Sequence, residues 1–388
     1  MRILFLVSDL NGGAGIAATR QAKALRAAGI NVDIESLDFS RHRIIFKFFR
    51  KFLAKLNRKF EYEVVNHVFG KSPQYRSINW LPFRPLFWFN LKQYDVIHLH
   101  WVNSGLIGLN HLKYISKCAP IVWTMHSLWP LTSPDHHPRS NLLPTRGDKK
   151  LLLQKFVLND SNYAKYVSSW VFPTAFAAGT STNQLNNIRV IHNPMPQEAF
   201  TDSEQERYSF FSFVCAGDVF DPRKGLNDLL YCWIESEIWK DGWALMVVGP
   251  IHLSTQDSGL MALGQIANVK FVGALSFDEV TRIYSRSKAQ VISSYEETFG
   301  QVITEPLCAG TPVLVRGGLG CLEDFTPLNG GIVETDFTPT NFKQAVGAVI
   351  SWAGNRQELQ QTARKLFGNE KIAEQLIEVY ESILRVKK

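Results

Sequence analysis

Glu297 and Glu305 stand eight positions apart in EETFGQVITEPLCAGTPVL, residues 296–314. A Phe299-Gly300 step lies between them, and a small-residue turn then leads into an apolar strand. The pattern reads as strand end, tight loop, helix start and next strand. The first N–H groups of such a helix have no intrahelical partner and point outward, which suits a phosphate. If the intervening residues are helical, the carboxylates are separated by about 12 Å. Carboxylates that jointly hydrolyse one glycosidic bond work roughly 5 to 9.5 Å apart. The spacing therefore favours a long ligand gripped at both ends, with its phosphates in the middle.

Other residues point the same way. GDVFDPRKG, residues 217–225, follows an apolar strand and puts Arg223 and Lys224 at the start of the next helix. Two cations beside a helix N-terminus suit a diphosphate, against the plain alternative of solvated surface charges. Asn11-Gly12-Gly13-Ala14-Gly15 follows the first strand, and its glycines allow the backbone to approach an anion. The spacing is not the dinucleotide G-x-G-x-x-G. His126 ends a strand and opens HSLWPLTSPDHHP, at the strand end where open α/β sheets bind ligands. Asp135, His136 and His137 lack the spacing of a metal site. No D-x-D pair occurs, so neither a metal nor a resident cofactor is expected.

Residues 41–60, RHRIIFKFFRKFLAKLNRKF, carry a different signal. At helical spacing Ile45, Phe48, Phe49, Phe52, Leu53, Leu56 and Phe60 share one face. Arg43, Lys47, Arg50, Lys51, Lys55, Arg58 and Lys59 cover the rest, with no acid among them. That composition fits a helix lying in the plane of an anionic bilayer, with Lys47, Phe48, Phe49, Arg50, Lys51, Phe52 and Lys55 in contact. The plain alternative is a core-covering helix with a solvated basic face. No nucleic-acid module surrounds the basic run, so RNA binding is the minor reading.

The elements that must position these residues alternate. Strands are expected at 2–8, 31–37, 94–100, 120–125, 168–173 and 188–192, with a helix at 15–28 that stops at Gly29. Asn193-Pro194-Met195-Pro196 and a polar run mark a linker at 193–208. A second series places strands at 210–216, 243–248, 269–273, 289–293, 311–315 and 331–333, and helices at 224–238, 276–287, 301–309 and 339–353. Residues 356–386 read as two amphipathic helices. Continuous apolar strands alternating with helices predict parallel sheets covered on both faces.

Bulk properties agree. The chain has 388 residues, with 45% apolar and 20% charged residues, enough for two full cores. MRILFLVSDL is too short to be a secretory signal and reads as a first strand. Five scattered cysteines in no C-x-x-C pair argue for a reducing, cytoplasmic compartment. The net charge of +7 is compatible with phosphorylated substrates and anionic lipid.

These residues resemble the retaining GT-B glycosyltransferases of family 4, of the bacterial surface-polysaccharide type. The similarity rests chiefly on Glu297 and Glu305 in ETFGQVITE, the family's E-x7-E motif. GGAG, the Thr-x-His stretch ending at His126, VIHNP and RKG at 223–225 support it. The resemblance implies an α/β GT-B fold, two Rossmann-like domains whose parallel sheets face each other across a cleft. Residues 1–192 would form the acceptor domain, 193–208 the linker and 209–369 the nucleotide-sugar domain. Residues 370–388 would be a helix returning to the first domain. It further implies that Glu297 meets the donor sugar hydroxyls and Glu305 the ribose hydroxyls. The backbone of Phe299, Gly300 and Gln301 would meet the sugar-phosphate end. Lys224 and Arg223 would neutralise the departing diphosphate, Gly13 would approach the same phosphates, and His126 would line the sugar pocket. Where the family often carries a basic residue after the glycine at 217, this chain has Asp218, which bears on the phosphate clamp. The expected activity is metal-independent sugar transfer from a nucleotide sugar to a lipid-linked glycan at the inner face of the plasma membrane. The rivals are a nucleotide-sugar epimerase of the same architecture and a non-catalytic membrane- or RNA-binding protein.

Overall fold

In the computed structural model the chain is described for residues 1–37, 44–69, 76–79, 90–132, 136, 163–179, 185–200, 209–252 and 255–386. It divides into two units, Met1–Pro194 with Glu370–Lys388, and Met195–Asn369.

The first unit holds β1 (Arg2–Leu6), β2 (Asn31–Glu35), β3 (Val96–Leu99), β4 (Ile121–Thr124), β5 (Ser169–Phe172) and β6 (Ile188–Val190). They form one sheet in the order β2-β1-β3-β4-β5-β6, with every neighbouring pair parallel. Alternate side chains enter opposite cores, as the two-residue period of a strand requires. Leu4, Leu6, Ile97, Leu99 and Trp123 face one core. Ile3, Phe5, Val96 and Val122 face the other. That second core is closed by α1 (Gly13–Ala27) and by the terminal helix Asn369–Val386. The terminal helix packs through Ile372, Ala373, Leu376, Val379, Tyr380 and Ile383, a 3-4 spacing that makes one apolar stripe. Among the described residues the remaining helices of this unit are α2 (Ile44–Phe69), α3 (Leu112–Cys118) and α4 (Ala175–Gly179).

The second unit repeats the scheme with β7 (Phe210–Val214), β8 (Ala244–Val248), β9 (Val269–Gly273), β10 (Gln290–Ile292), β11 (Val313–Arg316) and β12 (Ile332–Thr335). The order is β12-β11-β10-β7-β8-β9, again all parallel. Its helices are α5 (Leu226–Glu235), α6 (Thr255–Ile266), α7 (Phe277–Arg286), α8 (Gln301–Cys308), α9 (Pro339–Ile350) and α10 (Arg356–Phe367), so that Asn369–Val386 is α11.

The strand spans differ from expectation by a few residues at their ends. Three further differences concern helices. The basic helix runs on to Phe69, past the expected end at residue 60. α6 was not foreseen, because Gly259 and Gly264 interrupt its sequence and mask its periodicity. The helix expected from residue 224 starts only at Leu226, after a 3-10 turn at Pro222–Lys224. Residues 201–208 of the expected linker lie outside the described residues.

Candidate functional site

In the second sheet β7 pairs with β8 on one side and β10 on the other, so the strand order reverses at β7. Open α/β sheets bind ligands beyond the strand ends at such a reversal. The segment after β7 carries Arg223 and Lys224, and the segment after β10 carries Glu297.

The structure brings two of these residues together. Lys224 Nζ lies 2.7 Å from Glu297 Oε1, with the two side chains 23% and 11% exposed. Burial works against the ammonium, but Glu297, helped by the nearby Cys215 sulfur, more than offsets it and raises the Lys224 pKa above its ordinary value. The two segments are stitched by their backbones. The Tyr295 N–H donates to the Arg223 carbonyl at 2.8 Å. The Ser293 hydroxyl donates to the Lys224 carbonyl at 2.8 Å. Gly225 adopts φ +63°, and a Cβ there would come within 2.3 Å of the Ser293 carbonyl oxygen. Only glycine fits that approach.

Arg223 corrects the simple picture of two bare cations. Its Nη2 lies 2.5 Å from Asp221 Oδ2, and its Nε donates to Asp221 Oδ1 at 3.1 Å. Asp221 also caps the turn by accepting from the Arg223 N–H at 3.0 Å. Asp218 is directed to neighbouring backbone, accepting from the N–H of Phe220 at 3.1 Å and of His252 at 3.4 Å.

Glu297 precedes helix α8, so the helical-rise argument for its distance to Glu305 holds only from Gln301 onward. Gly300 caps α8 with φ +77°. Glu305 Oε2 accepts from the Tyr284 hydroxyl at 3.3 Å. The Phe299 side chain is buried and stands edge-on to Phe325 and Phe367, at 5.8 Å from each. Its ring therefore serves the core.

The first sheet reverses at β1, between β2 and β3. The glycine loop follows β1, and α1 begins at Gly13. A Cβ on Gly13 would meet nothing within 4 Å, whereas one on Gly15 would lie 2.1 Å from the Asp9 carbonyl oxygen. Gly15 thus lets the helix approach the loop, and Gly13 leaves open space. His126 follows β4, and its Nε2 lies 3.0 Å from His100 Nδ1. His100 stacks in turn on His98, ring centroids 4.4 Å apart. His98 is held between the Tyr380 hydroxyl and the Thr124 hydroxyl, 2.7 Å from each. Burial pushes the pKa of His126 down to about 4, and burial, with His126 beside it, pushes that of His98 down to about 3. His126 is therefore a neutral hydrogen-bonding group at physiological pH. The stack is legible in the sequence as His-x-His in VIHLH, which sets two imidazoles on one strand face. His136 bonds Ser77, Nε2 to Oγ 3.0 Å, while Asp135 and His137 lie outside the described residues.

Helix α2 presents an unusual face. Phe52, Leu56 and Phe60, each four residues from the next, are 57%, 42% and 48% exposed. Lys55, Arg58 and Lys59 flank them and are exposed too. The inward stripe is Ala54, Asn57, Glu61 and Val65, all buried. Glu61 accepts hydrogen bonds from the N–H groups of Ile78, at 2.5 Å, and Asn79. Burial raises the Glu61 pKa to about 7, against the pull of those two N–H groups. The side chains of Lys47, Phe48, Phe49, Arg50 and Lys51 lie outside the described residues. Among the described residues no helix is long and apolar enough to cross a membrane.

With this geometry the comparisons agree. Residues 11–198 match Glycosyltransferase Family 4, and residues 205–366 match Glycosyl transferases group 1. An uncharacterised glycosyltransferase of Methanocaldococcus jannaschii is 26% identical over 303 residues, 74% of this chain and 76% of its own. The O-antigen chain mannosyltransferase RfbU of Salmonella typhimurium is 23% identical over 245 residues, 60% of this chain and 62% of its own. Sucrose-phosphate synthase from Thermosynechococcus elongatus has a similar structure, with TM-score 0.67, 18% identity and 100% of both chains covered. Anabaena HepE, solved in complex with UDP and glucose, has TM-score 0.62 and 17% identity, over 98% of this chain and 100% of its own. At such identities the structural likeness carries the fold: two parallel-sheet units of the GT-B type. Joined to the two regional matches, it makes the chain a GT-B glycosyltransferase.

Proposed function

We propose that the protein transfers a sugar from a nucleotide-sugar donor to a hydroxyl of a lipid-linked glycan during surface-polysaccharide synthesis, with anomeric configuration retained and without a metal. The carrying observation is the Lys224–Glu297 pair at the strand-order reversal of the second sheet. A cation held charged by an adjacent carboxylate is ready to meet a diphosphate, and the carboxylate it leaves is ready to accept from sugar hydroxyls. The bond from anomeric carbon to phosphate oxygen breaks, and its electrons go to the diphosphate. The acceptor oxygen bonds the same face of that carbon and passes its proton to the leaving phosphate. Lys224, Arg223 and the amides at the start of α8 offset the growing negative charge, and one such donor is typically worth about 3 to 4 kcal/mol. Glu305 accepts from the ribose. HepE's binding of UDP and glucose and RfbU's role on the O-antigen chain favour this donor and acceptor class. A thermal-shift screen across UDP-, GDP- and ADP-sugars should single out one donor, and labelled sugar should then pass to a lipid-linked acceptor. Glu297→Ala and Lys224→Ala should each lower turnover at least a hundredfold. Near-normal turnover in both variants would defeat the assignment.

The acceptor's lipid calls for a membrane-facing surface, and α2 fits one. A helix that hides Asn57 and Glu61 while exposing Phe52, Leu56 and Phe60 reverses the usual orientation for water. Aromatic side chains framed by lysine and arginine suit the headgroup region of an anionic leaflet, where each cation adds about 1 kcal/mol. Vesicles with anionic lipid should retain the protein at low salt. Reversal of Lys47, Arg50, Lys51 and Lys55 to glutamate should release it. A reversed variant that still sediments with the vesicles would make α2 a purely structural helix.

A further inference from the structure

Lys224 and Glu297 belong to different segments, and a third element sets their separation. Arg316 is the last residue of β11 and lies outside both segments. Its Nε donates to the Ser293 carbonyl at 2.8 Å. Its Nη2 lies 2.6 Å from Asp228 Oδ2, in the first turn of α5. The guanidinium also lies 4.2 Å above the Tyr295 ring, and the Tyr295 hydroxyl donates to the same Asp228 oxygen. One planar group thus joins the start of the β10 segment, four residues before Glu297, to α5, four residues after Lys224.

We infer that Arg316 is a positioning residue for sugar transfer, fixing the Lys224–Glu297 geometry that the leaving diphosphate meets. The inference rests on the reading of that pair given above. The arrangement needs arginine itself. A guanidinium offers two diverging N–H groups and a flat face at once, whereas an ammonium is a point charge on a flexible stem. Gly225 leaves no slack, since a Cβ there would also lie 3.3 Å from Arg316 Nη2. Displacement of reacting groups by about 1 Å lowers turnover by as much as about 100-fold.

Steady-state transfer assays on Arg316→Lys and Arg316→Gln test the role. Both should lose about 10- to 100-fold in kcat, with the donor KM little changed. Either substitution placed in a Lys224→Met, Glu297→Gln background should cost nothing more, because both groups being positioned are already gone. Losses that multiply in that background would overturn the inference and make Arg316 an independent support of the fold, and so would an unchanged kcat. Tyr295→Phe, a milder cut to the same junction, should lower kcat less than Arg316→Lys does; a loss exceeding that of Arg316→Lys would also count against it. If instead Lys224→Met alone leaves turnover intact, the reading of the site fails, and the fault is then separable from any role of Arg316.

Discussion

The Lys224–Glu297 pair predicts that stability and turnover come apart. At 2.7 Å and an effective dielectric constant of 20, two unit charges attract by about 6 kcal/mol before desolvation is counted. Most of that is offset by taking both groups out of water. What remains is asymmetric, because removing one partner strands the other charge in a largely dry site, at about 3 to 5 kcal/mol. Some water still reaches the lysine, so the lower end applies, about 3 kcal/mol for Glu297→Gln or Lys224→Met. Removing both charges leaves nothing stranded and should cost only about 1 kcal/mol. For a unit of this size each kcal/mol moves the melting temperature by about 2 to 4 °C. Each single variant should therefore melt about 6 to 12 °C lower, and the double variant about 2 to 4 °C lower.

Turnover should not follow. On the proposed function all three variants lack a group that would meet the reacting donor, so all three should lose at least about 100-fold. Calorimetry on the full chain and a sugar-transfer assay on the same preparations give both readouts. A double variant as unstable as the two single losses added together would mean that the charges do not feel each other. A double variant that regains turnover along with stability would mean that the pair only holds the two segments together. Either result refutes the reasoning.

Three further outcomes follow from the geometry. Glu61 has a folded pKa of about 7 against an ordinary 4.5, so the native state holds its proton more tightly than the unfolded chain does. Its contribution is greatest in acid and is lost as pH rises from about 4.5 to about 7, by about 3 kcal/mol in all. Denaturant midpoints should fall from pH 5 to pH 8 by more in the native chain than in Glu61→Gln, and equal falls would exclude the effect. Gly15→Ala should destabilise the first unit, because its Cβ meets the Asp9 carbonyl oxygen, while Gly13→Ala, whose Cβ meets nothing within 4 Å, should leave the melting temperature unchanged; equal losses in the two variants would contradict the difference. Phe299→Ala, which empties one place in the Phe299–Phe325–Phe367 cluster, should cost about 3 to 5 kcal/mol, and a melting temperature within 2 °C of the parent would contradict that packing.

The parallel sheets were legible because their strands are short runs of Val, Ile, Leu and Phe between turn residues, a pattern that depends on neighbours in the chain. Glu297 and Lys224 were legible as residue types in the right kind of loop. Their direct pairing was not, since they lie 73 residues apart and only the β10–β7 adjacency brings them together. Arg316 gave no sequence signal for the same reason, as its partner Asp228 is 88 residues away. The Glu297 segment is expected as a loop before a helix at 301–309, and the structure agrees; only the figure of about 12 Å supposed that the residues between the two carboxylates are helical throughout. Gly300, with φ +77°, is where the helix starts.

Helix α2 shows the limit most directly. Periodicity locates an apolar stripe and a basic remainder, but it does not say which side meets the protein. That is decided by what the partner surface offers, and here the surface offers hydrogen-bond donors. The N–H groups of Ile78 and Asn79 need an acceptor, and Glu61 supplies it from a face that would otherwise be an unremarkable part of the polar side. Once Glu61 is drawn inward, the helix has no freedom left to bury Phe52, Leu56 and Phe60, because those residues lie on another side of the same cylinder. An inward glutamate thus fixes outward aromatics. The exposed stripe is the consequence of a specific polar contact, not of a shortage of core to cover it. A chain that had only to stay in water would gain from exchanging the three for polar residues, and would lose no contact to Ile78 or Asn79 by doing so.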